Sequence, residues 1–199
     1  EIVGFTIDVV NAAAAKAGVQ VKFVNTPWEG IFNALGQGDR DMIASSVTIT
    51  DERKQTMDFS NPYFDAVQLI AVKENSKLAK FADLKKAKVG VQTGTTGDEA
   101  VTKLLGKTST NIKRFESTPL ALKELEAGGV DAVVADNGVV IHYVANNPGG
   151  KFKTVSDKEF VPEQYGFAVK KGNAELLGKL NEGIAAIKAK KLAPDEEKK

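Results

Sequence analysis

The apolar positions along the chain change period several times, and each change marks an element. Trp28, Ile31, Phe32 and Leu35 recur at i, i+3, i+4 and i+7, the spacing of a helix with one buried face. Thr26 before Pro27 reads as a cap followed by a first-turn proline, and Gly36 and Gly38 end the stripe. The same grammar returns later: Thr118 before Pro119, apolar Leu120, Leu122 and Leu125, then a stop at Gly128-Gly129. Each helix is followed by an aspartate and a short apolar run, Asp41-Met42-Ile43-Ala44 and Asp131-Ala132-Val133-Val134. Read as an internal repeat, this predicts two related α/β halves. Chance is the competing account, because cap, proline and glycine grammar recurs throughout α/β proteins.

The second half carries an earlier unit with the same logic: a strand from Lys88 to Gln92, a polar Gly-Thr loop, a helix from Gly97 to Leu105, and a strand from Ile112 to Phe115. Thr96 and Glu99 have capping-box spacing at that helix start. The first half offers a helix over Thr6 to Ala17 and a strand over Val19 to Val24, with no strand before the helix. Glu1 reads as the end of a loop, so a further N-terminal strand is expected in the natural protein. Two β-like stretches, Gln68 to Lys73 and Tyr165 to Lys170, are the candidate hinges, about 68–73 and 163–168. The predicted architecture is therefore α/β, with mostly parallel sheets flanked by helices. Lobe 1 is discontinuous, residues 1–70 plus 166–199, and includes a helix striped by Leu176, Leu177, Leu180, Ile184 and Ile187; residues 71–165 form lobe 2.

Composition narrows the chemistry. Of 199 residues, 42% are hydrophobic and 27% charged, with a formal net charge of +1, the profile of an ordinary soluble globular protein. This balance argues against a nucleic-acid partner or a polybasic membrane contact. No stretch approaches the roughly 20 apolar residues of a membrane span, and the first residues lack the basic-then-apolar pattern of a signal segment. The absence of cysteine excludes a disulfide scaffold, a thiol nucleophile and a cysteine zinc site, while leaving an oxidising compartment permissible. His142 is the only histidine, which excludes histidine metal clusters; neither a metal nor a cofactor is expected. In Val139 to Val144 it reads as a packing or surface residue. The charged run from Lys188 to Lys199 reads as a frayed helix end or tail.

In open α/β sheets ligands gather beyond the carboxyl ends of strands, which selects three places. Ser45-Ser46-Val47-Thr48 followed by Arg53 combines hydroxyls with a guanidinium that binds carboxylates in a fork; a polar loop with a surface arginine is the plain alternative. Gln92-Thr93-Gly94-Thr95-Thr96 opens a capped helix and favours an anionic group, or is simply a capped turn; it lacks the lysine of a phosphate-binding P-loop. Asp136 follows a strand at Ala132 to Ala135, either as an N-cap or as the receiver of a ligand ammonium. An anion receiver on one lobe and an acid on the other describe a clamp for a zwitterion. Trp28 is either a core anchor or an aromatic wall beside the ligand.

At these residues the chain resembles the extracellular solute-binding proteins of family 3, the polar amino-acid receptors of ABC importers. The resemblance rests on Gly38 through Arg53, on Met57-Asp58-Phe59-Ser60-Asn61-Pro62-Tyr63-Phe64, on Val89 through Thr96, and on Val130 through Asp136. It implies a two-lobed, type II periplasmic-binding-protein-like fold. By that resemblance Arg53 grips the ligand α-carboxylate, helped by Ser46, Thr48 and the Thr95-Thr96 loop, and Asp136 takes the α-ammonium. Trp28, Ser45 and Gln92 line the side-chain pocket. The chain departs from the family at both ends: it lacks a first strand with its ligand-contacting loop, and Lys190-Lys191-Leu192-Ala193-Pro194 stands where family members carry an aromatic segment.

The expected function is capture of a free polar amino acid, glutamine or a basic one, in a cleft between the lobes, and delivery to an ABC transporter permease. The location implied is periplasmic or extracellular, lipid-anchored to the cell surface in a Gram-positive. An enzyme is not expected. The alternatives are a cyclohexadienyl-dehydratase-like enzyme on the same scaffold, with Glu163 as the one acid available, or the ligand-sensing module of a receptor.

Overall fold

The computed structural model describes residues 5–192, and its chain divides into two compact units. Unit 1 comprises residues 1–65 and 164–199, and unit 2 residues 66–163. The expected tail is helical as far as Leu192, and residues 193–199 lie outside the described residues.

Unit 1 is built on α1 (Phe5–Ala17), α2 (Trp28–Gln37), β1 (Met42–Thr48), α3 (Asp51–Lys54), β2 (Met57–Phe59) and β3 (Phe64–Ala66), the last of which runs one residue into unit 2. Its sheet is centred on β9 (Glu163–Lys170), which pairs antiparallel with β1 and β2, and α7 (Ala174–Leu192) closes the unit. Alternation along β9 sorts its side chains. Phe167 and Val169 pack with Val9, Val10, Leu180 and Ile184 of α1 and α7, while Ala168 packs with Ile31, Leu35 and Ile43 under α2. The approach of α7 to α1 depends on Gly183, where a Cβ would stand 2.3 Å from the Ala13 Cβ.

Unit 2 adds β4 (Gln68–Lys73), β5 (Val89–Gln92), α4 (Thr96–Leu105), β6 (Ile112–Phe115), α5 (Thr118–Ala127), β7 (Ala132–Asp136), α6 (Asn137–Asn146) and β8 (Phe152–Val155). The sheet runs β6-β5-β7-β4-β8 and is buried on both faces. Ile70, Val72, Ala132 and Val134 face a core shared with α4, and Leu69, Ala71, Val133 and Ala135 face one shared with α5. Parallel pairing is confined to β5 with β6 and β7, whereas β4 pairs antiparallel with both β7 and β8. The α/β class stands, but among the described residues parallel pairing is limited to strands joined through α4 and α5, whose crossovers return the chain in the same sense.

Several local expectations are corrected. Val19 to Val24 forms no strand: it pairs in no ladder and runs as irregular chain along a cavity of about 850 Å³ bounded by α1, α7 and the start of β1. The caps shift by one residue. Pro27 rather than Thr26 precedes α2, and the Thr26 hydroxyl turns to the Val24 carbonyl. Ser117 rather than Thr118 caps α5, and Thr95 rather than Thr96 caps α4, each accepting a backbone N–H from three residues on. Leu120 is exposed, since Thr118, Ala121, Leu122 and Leu125 make the buried stripe of α5. Finally, Ser45 through Thr48 belong to β1 itself, not to a loop after it.

Candidate functional site

In unit 1 the candidate residues surround a defect in β1. Its ladder with β9 runs through Ile43↔Ala168 and resumes at Val47↔Gly166, with an irregularity between them. Ser46 sits there at φ 53, in the left-handed region that costs a non-glycine residue roughly 1–2 kcal/mol. Such strain persists only where the surroundings over-determine it. Tyr63 supplies part of that support: its ring stacks on Phe167 at 4.4 Å, and its phenol bonds Ser46 and approaches Thr6 Oγ1 at 3.3 Å. Burial raises the Tyr63 pKa above its usual 10.0, with those hydrogen bonds acting in the opposite direction. Ser45 is exposed at the defect and Thr48 is buried just beyond it.

Arg53 is held from three sides. Thr50 caps the short α3 by accepting the Arg53 backbone N–H at 3.1 Å, which fixes where the side chain starts. Its Nη1 donates to the Thr48 carbonyl at 2.9 Å. The guanidinium carbon lies 5.6 Å from the Trp28 ring centre and 5.3 Å from that of Phe32, and the two rings meet edge to face at 5.1 Å. Contacts of this kind contribute about 0.5–2 kcal/mol each. Trp28 is therefore half-buried against the core and also an aromatic face for Arg53. Phe32 was assigned only to the helix stripe; an aromatic pair at i and i+4 is the signal that marks it. Of the candidate residues of this unit, Ser45 alone lines the large cavity described above.

In unit 2 the candidate loop turns most of its polar groups inward. Gln92 Oε1 accepts from the Thr118 backbone N–H at 3.1 Å and from its hydroxyl at 2.9 Å, tying β5 to the start of α5. The Thr93 hydroxyl donates to the Phe115 carbonyl and that of Thr95 to the Gln92 carbonyl. Gly94, at φ 72, donates its N–H to Asp98 Oδ2 at 3.0 Å, and Asp98 in turn takes Arg114 Nε on both oxygens at 3.0 Å. Gln92 and Thr95 thus brace the loop.

Thr96 and Asp136 are brought together. Asp136 occupies the N-cap position of α6, yet its side chain makes no capping bond. Its Oδ1 instead accepts from Gln68 Nε2 at 2.6 Å. The same nitrogen lies 3.1 Å from Thr96 Oγ1 and 3.1 Å from Glu163 Oε2, and the Thr96 hydroxyl donates to Glu163 Oε2. In the sequence Gln68 reads as a hinge position, and Glu163 as a hinge position and the one acid open to an enzyme. Neither had a motif to mark it, because the cluster forms through strand register, Gln68 lying opposite Asp136.

His142 is exposed on α6, with Nδ1 3.4 Å from Asn146 Nδ2. Among the described residues no group of three or more His, Asp or Glu could hold a metal ion, and no helix is long and apolar enough to cross a membrane.

The family model for bacterial extracellular solute-binding proteins, family 3, matches residues 1–197. A probable histidine-binding protein of Neisseria gonorrhoeae is 46% identical over 186 residues, covering 93% of this chain and 69% of that protein. The arginine-, lysine-, histidine-binding protein ArtJ of Geobacillus stearothermophilus superposes with a TM-score of 0.92 at 44% identity, covering 96% of this chain and 82% of that one. An ancestral arginine-binding protein bound to glutamine gives 0.88 at 44% identity, covering 95% and 83%.

Proposed function

The chain belongs to the bacterial extracellular solute-binding proteins, family 3, and on that premise we propose that it captures a free polar amino acid for delivery to an ABC transporter permease. The ligand α-carboxylate meets Arg53, with Ser46 and Thr48 beside it, and the α-ammonium meets Asp136, with Thr96 beside it. Basic amino acids are the first candidates and glutamine the next, since the relatives are named for histidine, arginine and lysine, and one structure holds glutamine. Trp28 and Ser45 contribute to the side-chain pocket. Gln92 and Thr95 act by holding the loop that presents Thr96. The protein works outside the cytoplasmic membrane and performs no reaction.

One observation carries this reading: Asp136 stands at a helix N-cap and its carboxylate leaves the helix uncapped to join a cluster of side chains. N-capping is worth about 1 kcal/mol, so giving it up calls for another use of the acid. Arg53, braced by Thr48 and two aromatic rings, complements it with a fork suited to a carboxylate.

Isothermal titration against the twenty amino acids tests the proposal. Saturable binding of one or a few polar amino acids is expected, weakened by about a hundred-fold or more in Arg53→Ala, where a charge-assisted pair is lost. Folded protein that binds none of them, or an Arg53→Ala variant that binds as well as wild type, refutes it.

A further inference from the structure

The amide of Gln68 is satisfied in a lopsided way. It is 4% exposed, and its nitrogen, with two N–H bonds to give, faces three acceptors: Asp136 Oδ1, Thr96 Oγ1 and Glu163 Oε2. Its oxygen is buried with no hydrogen-bond partner. A buried unpaired carbonyl is a cost that folds ordinarily avoid. Turning the amide over would not remove it, because Oε1 would then face two carboxylates. The acids dictate the orientation and the stranded oxygen is the consequence.

The surroundings are shaped around this arrangement. Gln68 and Asp136 are register partners on β4 and β7, so the bond between them follows from the sheet. At the first turn of α4, Gly97 leaves room for the amide: a Cβ there would stand 2.9 Å from Gln68 Oε1 and 2.8 Å from the Val134 carbonyl. Nearby, Asn137 N–H donates to the Val67 carbonyl, so the start of α6 is fixed by backbone without help from the Asp136 side chain.

We propose that Gln68 is a positioning residue: its amide draws the Asp136 carboxylate off the N-cap of α6 and holds it, with Glu163, in the geometry that receives the ligand's α-ammonium. The inference rests on the amino-acid-binding reading above. It extends that reading by making the receiver a pair of acids gathered on one amide, and by assigning Gln68 to function at the expense of stability. A methionine at this position has similar volume and no hydrogen bonds, so it removes the stranded oxygen and the hold on Asp136 together.

The test compares wild type with Gln68→Met in two measurements. In ligand-free protein, thermal unfolding of Gln68→Met is expected at the wild-type temperature or above it. In titrations, L-arginine should bind about ten-fold or more weaker to the variant, the loss expected for one mispositioned charge-assisted contact. Desamino-arginine, which lacks the α-ammonium, should bind wild type and variant alike. In an Asp136→Asn/Glu163→Gln background, Gln68→Met should cost arginine no further affinity, since its effect passes through those two acids. A clear drop in melting temperature, an equal loss for both ligands, or additive losses in the Asp136→Asn/Glu163→Gln background would overturn the proposal by showing that Gln68 serves the fold. Unchanged arginine affinity would overturn it too. Wild type that binds neither arginine nor any other amino acid would fail the functional reading itself, and this inference with it.

Discussion

Asp98 is the residue on which the loop 92–96 depends, and removing its carboxylate has a calculable cost. Oδ2 accepts the Gly94 N–H, Oδ1 accepts the Thr102 hydroxyl, and both take Arg114 Nε, all at 3.0 Å. Three charge-assisted bonds at about 1.5–3 kcal/mol each would overstate the loss, because they share one carboxylate and are not additive. Arg114 has 37% of its side chain exposed against 12% for Asp98, so its guanidinium regains water when the partner goes. Its share therefore falls to the surface value of roughly 0–1 kcal/mol. The helix cap survives, since the Asp98 backbone N–H still reaches Thr95 Oγ1. Asp98→Ala is thus expected to destabilise unit 2 by about 2–3 kcal/mol, and Arg114→Met by about 1 kcal/mol or less. Urea denaturation followed by a probe in unit 2 reads both values, with the slope unchanged if only stability has moved. In a thermal scan each kcal/mol corresponds to a fall of about 4–8 °C for a unit of this size. If Arg114→Met proved as costly as Asp98→Ala, the carboxylate would serve the ion pair first and the loop second, and the reasoning would be wrong. An Asp98→Ala effect within about 0.5 kcal/mol of zero would refute it outright.

Two further predictions concern single hydrogen-bond partners. Ser60 is buried in unit 1, where its Oγ accepts the Phe167 N–H at 2.9 Å and donates to the Asn61 carbonyl at 2.9 Å. Ser60→Ala leaves a buried N–H of β9 unpaired and should cost about 1–3 kcal/mol in denaturant unfolding, with no loss expected if water replaces the hydroxyl. Asp157 accepts N–H bonds from Glu159 at 2.8 Å and Phe81 at 2.7 Å, and these hold its pKa below the usual 3.8. A depressed folded-state pKa gives stability that is complete above the unfolded value and lost as pH falls through the folded one. The stability gap between wild type and Asp157→Asn should therefore narrow as pH drops below about 4, and a gap constant from neutral pH to acid would contradict this cause.

The elements most legible in the sequence were those whose buried stripe belongs to one segment. The stripe of α2, with Ile31 and Leu35 buried, and that of α7, with Leu180 and Ile184 buried, follow from 3.6-residue periodicity alone. Strand β7 was legible because an apolar run after an aspartate has few other fates. Val19 to Val24 has strand composition but no strand, since a ladder needs a partner that composition does not supply. The sequence places the cap of α2 one residue early and those of α4 and α5 one residue late, because Thr and Pro at a helix start fit both the N-cap and the first helical position.

The candidate site divides along the same line. The residues proposed to receive the carboxylate, Ser45 to Thr48 and Arg53, are neighbours in the chain, and a short strand followed by a capped turn brings them together by local geometry. Sequence alone therefore marked that group as a candidate, along with the α/β class and the absence of any thiol. Only tertiary structure decided the rest. Phe32 became a partner of Arg53 when α2 packed on the sheet, and Gln92 became a brace when β5 met the start of α5. Gln68, Thr96, Asp136 and Glu163 come from four separate stretches that converge on one amide nitrogen. Hydrophobic periodicity specifies which face of an element is buried, but strand order and register specify which polar residues meet, and those depend on the packing of the whole unit.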